Sequence, residues 1–134
     1  MIEIEEIFLL KDVPLTTNYQ VSLPANISQH DLVDFFIYIS DNADGAINTI
    51  DCIIEYTAKA NPIYNEWTRM SIETFDSDLK IFKLLDYIVR KEISHPTSFS
   101  IRCRAQGRLM TLKVKANAAG GNFSIGILRK KRTK

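Results

Sequence analysis

The sequence predicts an all-β protein: a single-domain antiparallel β-sandwich, jelly-roll-like, of eight to nine strands. Three observations predict it. Residues 98–134 alternate apolar and polar side chains through three runs, the signature of strands with one buried and one wet face. The stretch Phe35-Phe-Ile-Tyr-Ile39 is aromatic and β-branched, as strands prefer. Clusters of Gly, Asn, Asp, Ser and Pro punctuate the chain at short, regular intervals. A length of 134 residues suits one domain with a real core.

The elements follow in order. Residues 2–10 form a strand, with Ile2, Ile4 and Phe8 opposed to Glu3 and Glu5, ending at Val13-Pro14. Residues 18–23 form a second, with Tyr19, Val21 and Leu23 on one face. Ser28-Gln-His-Asp31 matches a weak capping box, but the run that follows favours a turn there and a buried strand over 33–40. Asp41-Asn-Ala-Asp-Gly45 is a loop. Over 48–57, Ile50, Cys52, Ile54 and Tyr56 alternate with Thr49, Asp51, Ile53 and Glu55. A Pro-containing loop over 59–65 leads to a return strand over 66–75, so 33–75 reads as a three-stranded meander. Residues 77–93 fork. A helix would gather Ile81, Phe82, Leu85, Ile88 and Val89 on one face and Lys80, Lys83, Tyr87 and Arg90 on the other. Strands are favoured by the context, one short helix within 77–93 being the alternative, and Ser94-His-Pro-Thr97 would then turn a hairpin into the strand at Ser98. The closing runs place Phe99, Ile101 and Cys103, then Leu112 and Val114, then Phe123, Ile125 and Ile127 inward, as a second meander turned at Gly107 and at Asn117-Ala-Ala-Gly-Gly121.

Charge is unevenly spread. Five of the 17 basic residues (Arg129, Lys130, Lys131, Arg132 and Lys134) stand in the final six, so the first 128 residues hold 12 basic against 16 acidic, a net of −4. The reading is a sandwich domain over 1–128 and a basic C-terminal tail over 129–134. Such a tail can meet nucleic acid or an acidic partner, or simply guard the last strand against edge pairing. Arg102, Arg104, Arg108, Lys113 and Lys115 can add a basic face. The start Met1-Ile-Glu-Ile-Glu-Glu lacks the pattern of a signal peptide, and no apolar run approaches the roughly 20 residues of a membrane span. A cytosolic origin is expected, with no membrane partner. Cys52 and Cys103 read as reduced, buried thiols, since neither has a Cys or His neighbour in sequence.

Catalytic patterns are scarce. His30 and His95 fall in turns without an orienting acid, and no P-loop, G-x-G-x-x-G, G-x-S-x-G or H-E-x-x-H occurs. No enzyme and no cofactor is expected. Asp41 and Asp44 offer oxygen ligands but lack EF-hand spacing; they are the candidates if a cation binds. Tyr64 and Trp67 flank the central loop, and exposed aromatics of this kind stack on sugar rings or anchor partner proteins.

The endings Thr97-Ser-Phe-Ser-Ile-Arg-Cys-Arg-Ala, Thr111-Leu-Lys-Val-Lys-Ala and Gly120-Gly-Asn-Phe-Ser-Ile-Gly-Ile resemble the last strands of jelly-roll domains. The resemblance is to small β-sandwich proteins of tailed-phage virions, which decorate or cement capsids or build fibres. It extends also to jelly-roll carbohydrate-binding modules. The first implies a non-enzymatic structural protein, made in a host cytoplasm and located in the virion. It would be a homo-oligomer, trimer favoured, that docks on other virion proteins. The second implies a glycan ligand. A nucleic-acid-binding accessory protein using the basic tail is the third reading.

Overall fold

The computed structural model describes residues 2–86, 88–93 and 97–132; Tyr87, His95 and Lys134 of the expectations above lie outside the described residues. Among those described, twelve strands form: β1 (Ile2–Leu15), β2 (Gln20–Val21), β3 (Ala25–Asn26), β4 (Leu32–Asn42), β5 (Thr49–Thr57), β6 (Thr68–Arg69), β7 (Ser71–Asp76), β8 (Ile81–Asp86), β9 (Ile88–Glu92), β10 (Thr97–Arg104), β11 (Leu109–Ala116) and β12 (Gly121–Arg132). Short 3-10 turns occupy Ala43–Gly45 and Tyr64–Glu66.

Two antiparallel layers carry the fold. Sheet A has the order β1-β12-β4-β10; sheet B has the order β2-β11-β5-β6, with β3 also on β11 and β9 also on β5. The inward residues of sheet A are Val33, Phe35, Ile37 and Ile39 on β4, Ile101 on β10, and Phe123, Ile125 and Ile127 on β12. Sheet B supplies Ile50, Cys52 and Ile54 from β5 and Met110, Leu112 and Val114 from β11. They form one buried cluster. Each large side chain so enclosed contributes about 1.5–3 kcal/mol through removal of apolar surface from water. The fold is thus the all-β sandwich that the alternation predicts.

Within it, the strand neighbours differ from the expected meanders. Strands β10, β11 and β12 do not lie side by side, because β10 and β12 belong to sheet A and β11 to sheet B. Likewise β4 and β5 occupy opposite layers, and β9 lies in sheet B and β10 in sheet A, so the two do not pair as a hairpin; Ser94, His95 and Pro96 lie outside the described residues. The connections arch between layers. Ala105 N–H donates to the Asp31 carbonyl (3.1 Å), and Arg108 N–H donates to the Thr57 carbonyl (2.7 Å), on opposite sides of the Gly107 turn. Period-two alternation marks an inward face; it does not say which layer the face belongs to.

Two faces are also inverted. Phe8 pairs in register with Gly126 and stands on the outside, 52% exposed. Val21 and Leu23 are exposed while Ser22 between them is buried. The Ser22 hydroxyl accepts the Leu112 N–H (3.0 Å) and donates to the Leu23 carbonyl (3.1 Å), which offsets its burial. Residues 77–93 resolve as strands β8 and β9 with a turn over 77–80. The expected return strand over 66–75 breaks into β6 and β7 at Met70, which turns inward and donates its N–H to the Ile54 carbonyl (2.8 Å).

The basic terminal run continues β12 as far as Arg132. Its residues pair with the acidic start of β1: Glu5 opposite Arg129 and Glu3 opposite Lys131. The register makes the run part of sheet A up to that point.

Candidate functional site

The outer face of sheet B is built by alternation. Opposite the core-facing Met110, Leu112 and Val114, β11 presents Thr111 and Lys113 outward; opposite Ile54, β5 presents Glu55. Glu55 lies directly across from Thr111, and Lys113 one step diagonal, so the Lys113 ammonium reaches a Glu55 oxygen at 2.7 Å. Beside this pair stands the loop after β5. The backbone of its 3-10 turn closes as Glu66 N–H donates to the Ile63 carbonyl (3.0 Å) and Ile63 N–H to Glu66 Oε1 (3.0 Å). An ion pair between Lys59 and Glu66 fastens it from outside. The turn holds Tyr64 out in solvent, 92% exposed, and leaves Trp67 half-buried.

Together these residues enclose a cavity of about 310 Å³. Tyr64 and Trp67 wall it, with Glu55, Lys113, Thr111 and Ser22 lining it as polar groups; Val21 and Pro24 complete the lining. The structure therefore brings the two aromatics singled out in the sequence into one concave site. Glu55 and Thr111 were missed, and Lys113 was assigned to a basic face instead of to this site. Their alternation marks them as outward-facing, but only the β5–β11 register shows that they meet.

The remaining charges on this face are tied to each other. Arg90 donates to both oxygens of Asp51 (2.7 and 3.1 Å), and this hydrogen bonding holds the Asp51 carboxyl below the usual carboxylate range. The Lys115 ammonium sits 4.8 Å over the Tyr19 ring, a cation–π contact. Partial burial, then the Asp51 charge, raises the Tyr19 phenol.

On the outer face of sheet A, Asp34 accepts two hydrogen bonds from Arg102 (2.8 and 3.1 Å) and lies 3.3 Å from the Lys130 ammonium. The Arg102 hydrogen bonds, more than Lys130, depress its carboxyl. Next to it, Phe8, Phe36 and Tyr38 form an aromatic group with Tyr38 in the middle, at centroid distances of 6.0 Å and 6.1 Å.

The expected basic face does not form. Arg102 belongs to sheet A and Lys113 and Lys115 to sheet B, on opposite outer faces, and Arg102, Lys113 and Lys130 each hold a carboxylate of the chain itself. Arg129 donates to the Asn26 carbonyl (2.6 Å). The side chains of Lys131, Arg132 and Asp44 lie outside the described residues, and Asp41 is exposed at the end of β4. Among the described residues no group of three or more His, Cys, Asp or Glu is placed to hold a metal ion, and no helix is long and apolar enough to cross a membrane. Cys52 and Cys103 are unpaired on different sheets; burial pushes the first thiol up to about 12 and the second to about 11.

A second surface stands apart from both layers. Strands β7 and β8 pair only with each other. Their turn is closed by Asp76, whose carboxylate accepts the N–H groups of Asp78 and Leu79 (3.0 Å each) and whose carbonyl accepts that of Lys80 (2.7 Å). Phe75 faces Phe82 across the ribbon, centroids 5.2 Å apart, and the two are 57% and 67% exposed. Leu79 and Ile81 at the same tip are exposed as well.

No known family model matches this chain, and no curated protein matches its sequence. Solved structures are similar to it to different degrees. The crystal structure of the SPBc2 prophage-derived protein YomS aligns over 98% of this chain and 96% of its own, with a TM-score of 0.53 and 5% identity. A structure of Bacillus endospore appendages, described as disulfide-linked pili, aligns over 98% and 89% with a TM-score of 0.46 and 13% identity. That of the infectious bursal disease virus Gx strain aligns over 96% of this chain and 32% of its own, with a TM-score of 0.47 and 10% identity. At 5% identity the likeness to the prophage-derived protein is one of fold alone.

Proposed function

We propose that this chain is a non-enzymatic structural protein of a phage virion, which associates with further copies of itself and docks on other virion proteins. The observation that carries the reading is the β7–β8 ribbon. A two-stranded hairpin alone is marginally stable in water, and this one holds Phe75, Leu79, Ile81 and Phe82 out in solvent. Exposed apolar clusters of this sort mark association surfaces. The prophage origin of a protein with the same fold supports the setting. A second copy is the natural occupant, because most soluble oligomers are closed and symmetric and repeat one surface on every subunit; the count favoured is three.

Multi-angle light scattering at micromolar concentration tests this. A discrete oligomer is expected, reverting to monomer in a Phe75→Ser, Phe82→Ser double variant whose circular dichroism is unchanged. A strictly monomeric wild-type chain sinks the proposal, and so does an oligomer indifferent to both substitutions.

A further inference from the structure

We infer that the cavity between Tyr64 and Trp67 is a saccharide-binding site. It is independent of the ribbon and of any assembly: the ribbon pairs with neither layer, whereas the cavity lies on the outer face of sheet B.

The inference rests on the match between two kinds of wall and two kinds of sugar surface. A pyranose ring has faces of C–H groups and a rim of hydroxyls. The C–H faces pack on aromatic rings, whose faces carry partial negative charge. Tyr64 is 92% exposed, so its ring already lies open to a ligand and burying it on binding releases water from an apolar surface. Trp67 lines the same cavity and is half-buried, the less mobile of the two rings.

The hydroxyl rim needs donors and acceptors close together, since each hydroxyl both gives and accepts a hydrogen bond. The lining supplies both within one pair. The Glu55 carboxylate is acceptor only and the Lys113 ammonium is donor only, 2.7 Å apart. Adjacent hydroxyls of a sugar can bridge them, one donating to Glu55 and its neighbour accepting from Lys113. Such hydrogen bonds to charged groups are roughly twice as strong as neutral ones. Glu55 is mostly buried, and Lys113 retains part of its surface, so the pair is preorganised and yet reachable. Thr111 adds a hydroxyl directly across the ladder from Glu55. At about 310 Å³ the cavity lies at the lower end of small-molecule sites, about 300–1,000 Å³, which suits one sugar ring better than a long chain segment.

A proline-rich peptide is the competing ligand for an aromatic-lined groove. It is disfavoured by the lining. Prolines lack N–H groups, so a polyproline stretch offers only carbonyl acceptors, which the Lys113 ammonium can serve, and nothing that donates to the Glu55 carboxylate.

The chain's single tryptophan makes the test direct, because all indole fluorescence comes from Trp67. The probes are the methyl glycosides of glucose, galactose, mannose and N-acetylglucosamine, titrated to tens of millimolar, with a polyproline decamer in parallel and a glycan array to widen the panel. The expected result is a saturable change with at least one glycoside, weakened roughly tenfold in Tyr64→Ala through lost ring contact. Tyr64 is so exposed that its removal leaves the fold intact, and Glu55→Gln, which keeps the shape and removes the charge, should weaken binding too. A blank array with no saturable fluorescence change overturns the inference. Saturation by polyproline alone overturns it, as does a glycoside response that both variants retain in full.

Discussion

Replacing Gly107 with alanine probes the arch between the two layers. Gly107 has φ +73, a left-handed conformation that costs a residue with a Cβ about 1 kcal/mol. Its surroundings are closed as well: an added Cβ would lie 2.5 Å from the Thr57 carbonyl oxygen and 2.9 Å from its carbon. That carbonyl is fixed by the Arg108 N–H at 2.7 Å. Making room means displacing backbone, at about 1–3 kcal/mol of strain, and giving up a hydrogen bond worth about 0.5–1.5 kcal/mol. The total is about 2.5–5.5 kcal/mol. For 134 residues the unfolding entropy is about 0.28 kcal/mol/K, so Tm should fall by about 9–20 °C. Gly45 supplies the control. Its φ is +64, but nothing lies within 4 Å of the added Cβ, so Gly45→Ala should cost only the conformational part, about 4 °C. Both are read by differential scanning calorimetry at one protein concentration. Equal shifts in the two variants would refute the close-approach argument, and no shift in either would refute the left-handed one.

Two further outcomes follow from the titrating groups. The carboxyls of Asp34 and Asp51 are depressed by Arg102 and Arg90, so their folded values lie below the ordinary value of about 3.9. Their contribution is complete above that ordinary value and is lost as pH falls through the folded ones. Urea midpoints should therefore hold steady from neutrality to about pH 5 and drop below about pH 4, with a smaller drop in Asp34→Asn; midpoints that rise on acidification contradict the pairing. Cys52, buried with its thiol near 12, should resist a disulfide reagent at pH 8 in native buffer. Cys103, half-buried and near 11, should react slowly, and both should titrate at once in guanidinium; two thiols reacting immediately in the folded protein would contradict their placement.

The sequence made the strands legible wherever one face is buried and the other wet. Residues 49–57 and 109–116 show this: Ile50, Cys52 and Ile54, then Met110, Leu112 and Val114, all point inward. Neighbour choice was not legible. The pairing of β12 with β1 and β4 joins residues far apart in the chain, Gly121 with Asn42 being the nearest in sequence, and nothing local announces it. Polarity misled at Ser22, whose burial depends on a hydrogen bond from Leu112, 90 residues away. It misled at Phe8 too, which stands outside because its neighbour Leu9 takes the core-facing position. In the candidate site, Tyr64 and Trp67 were recognisable by type and loop position. Glu55 and Lys113 were only outward-facing residues of two separate runs until the ladder between β5 and β11 set them 2.7 Å apart.

The central place of β12 governs when this molecule can become itself. During synthesis β12 emerges after the other described strands, yet it is the plank on which both β1 and β4 hang. Until the ribosome has released it, one layer is a lone β4–β10 pair with a hydrophobic flank, and the first strand waits with no ladder to join. Completion of this layer must therefore be a late event, slow because its contacts join distant parts of the chain, and the nascent protein depends on its surroundings to keep that open seam from capturing a neighbour.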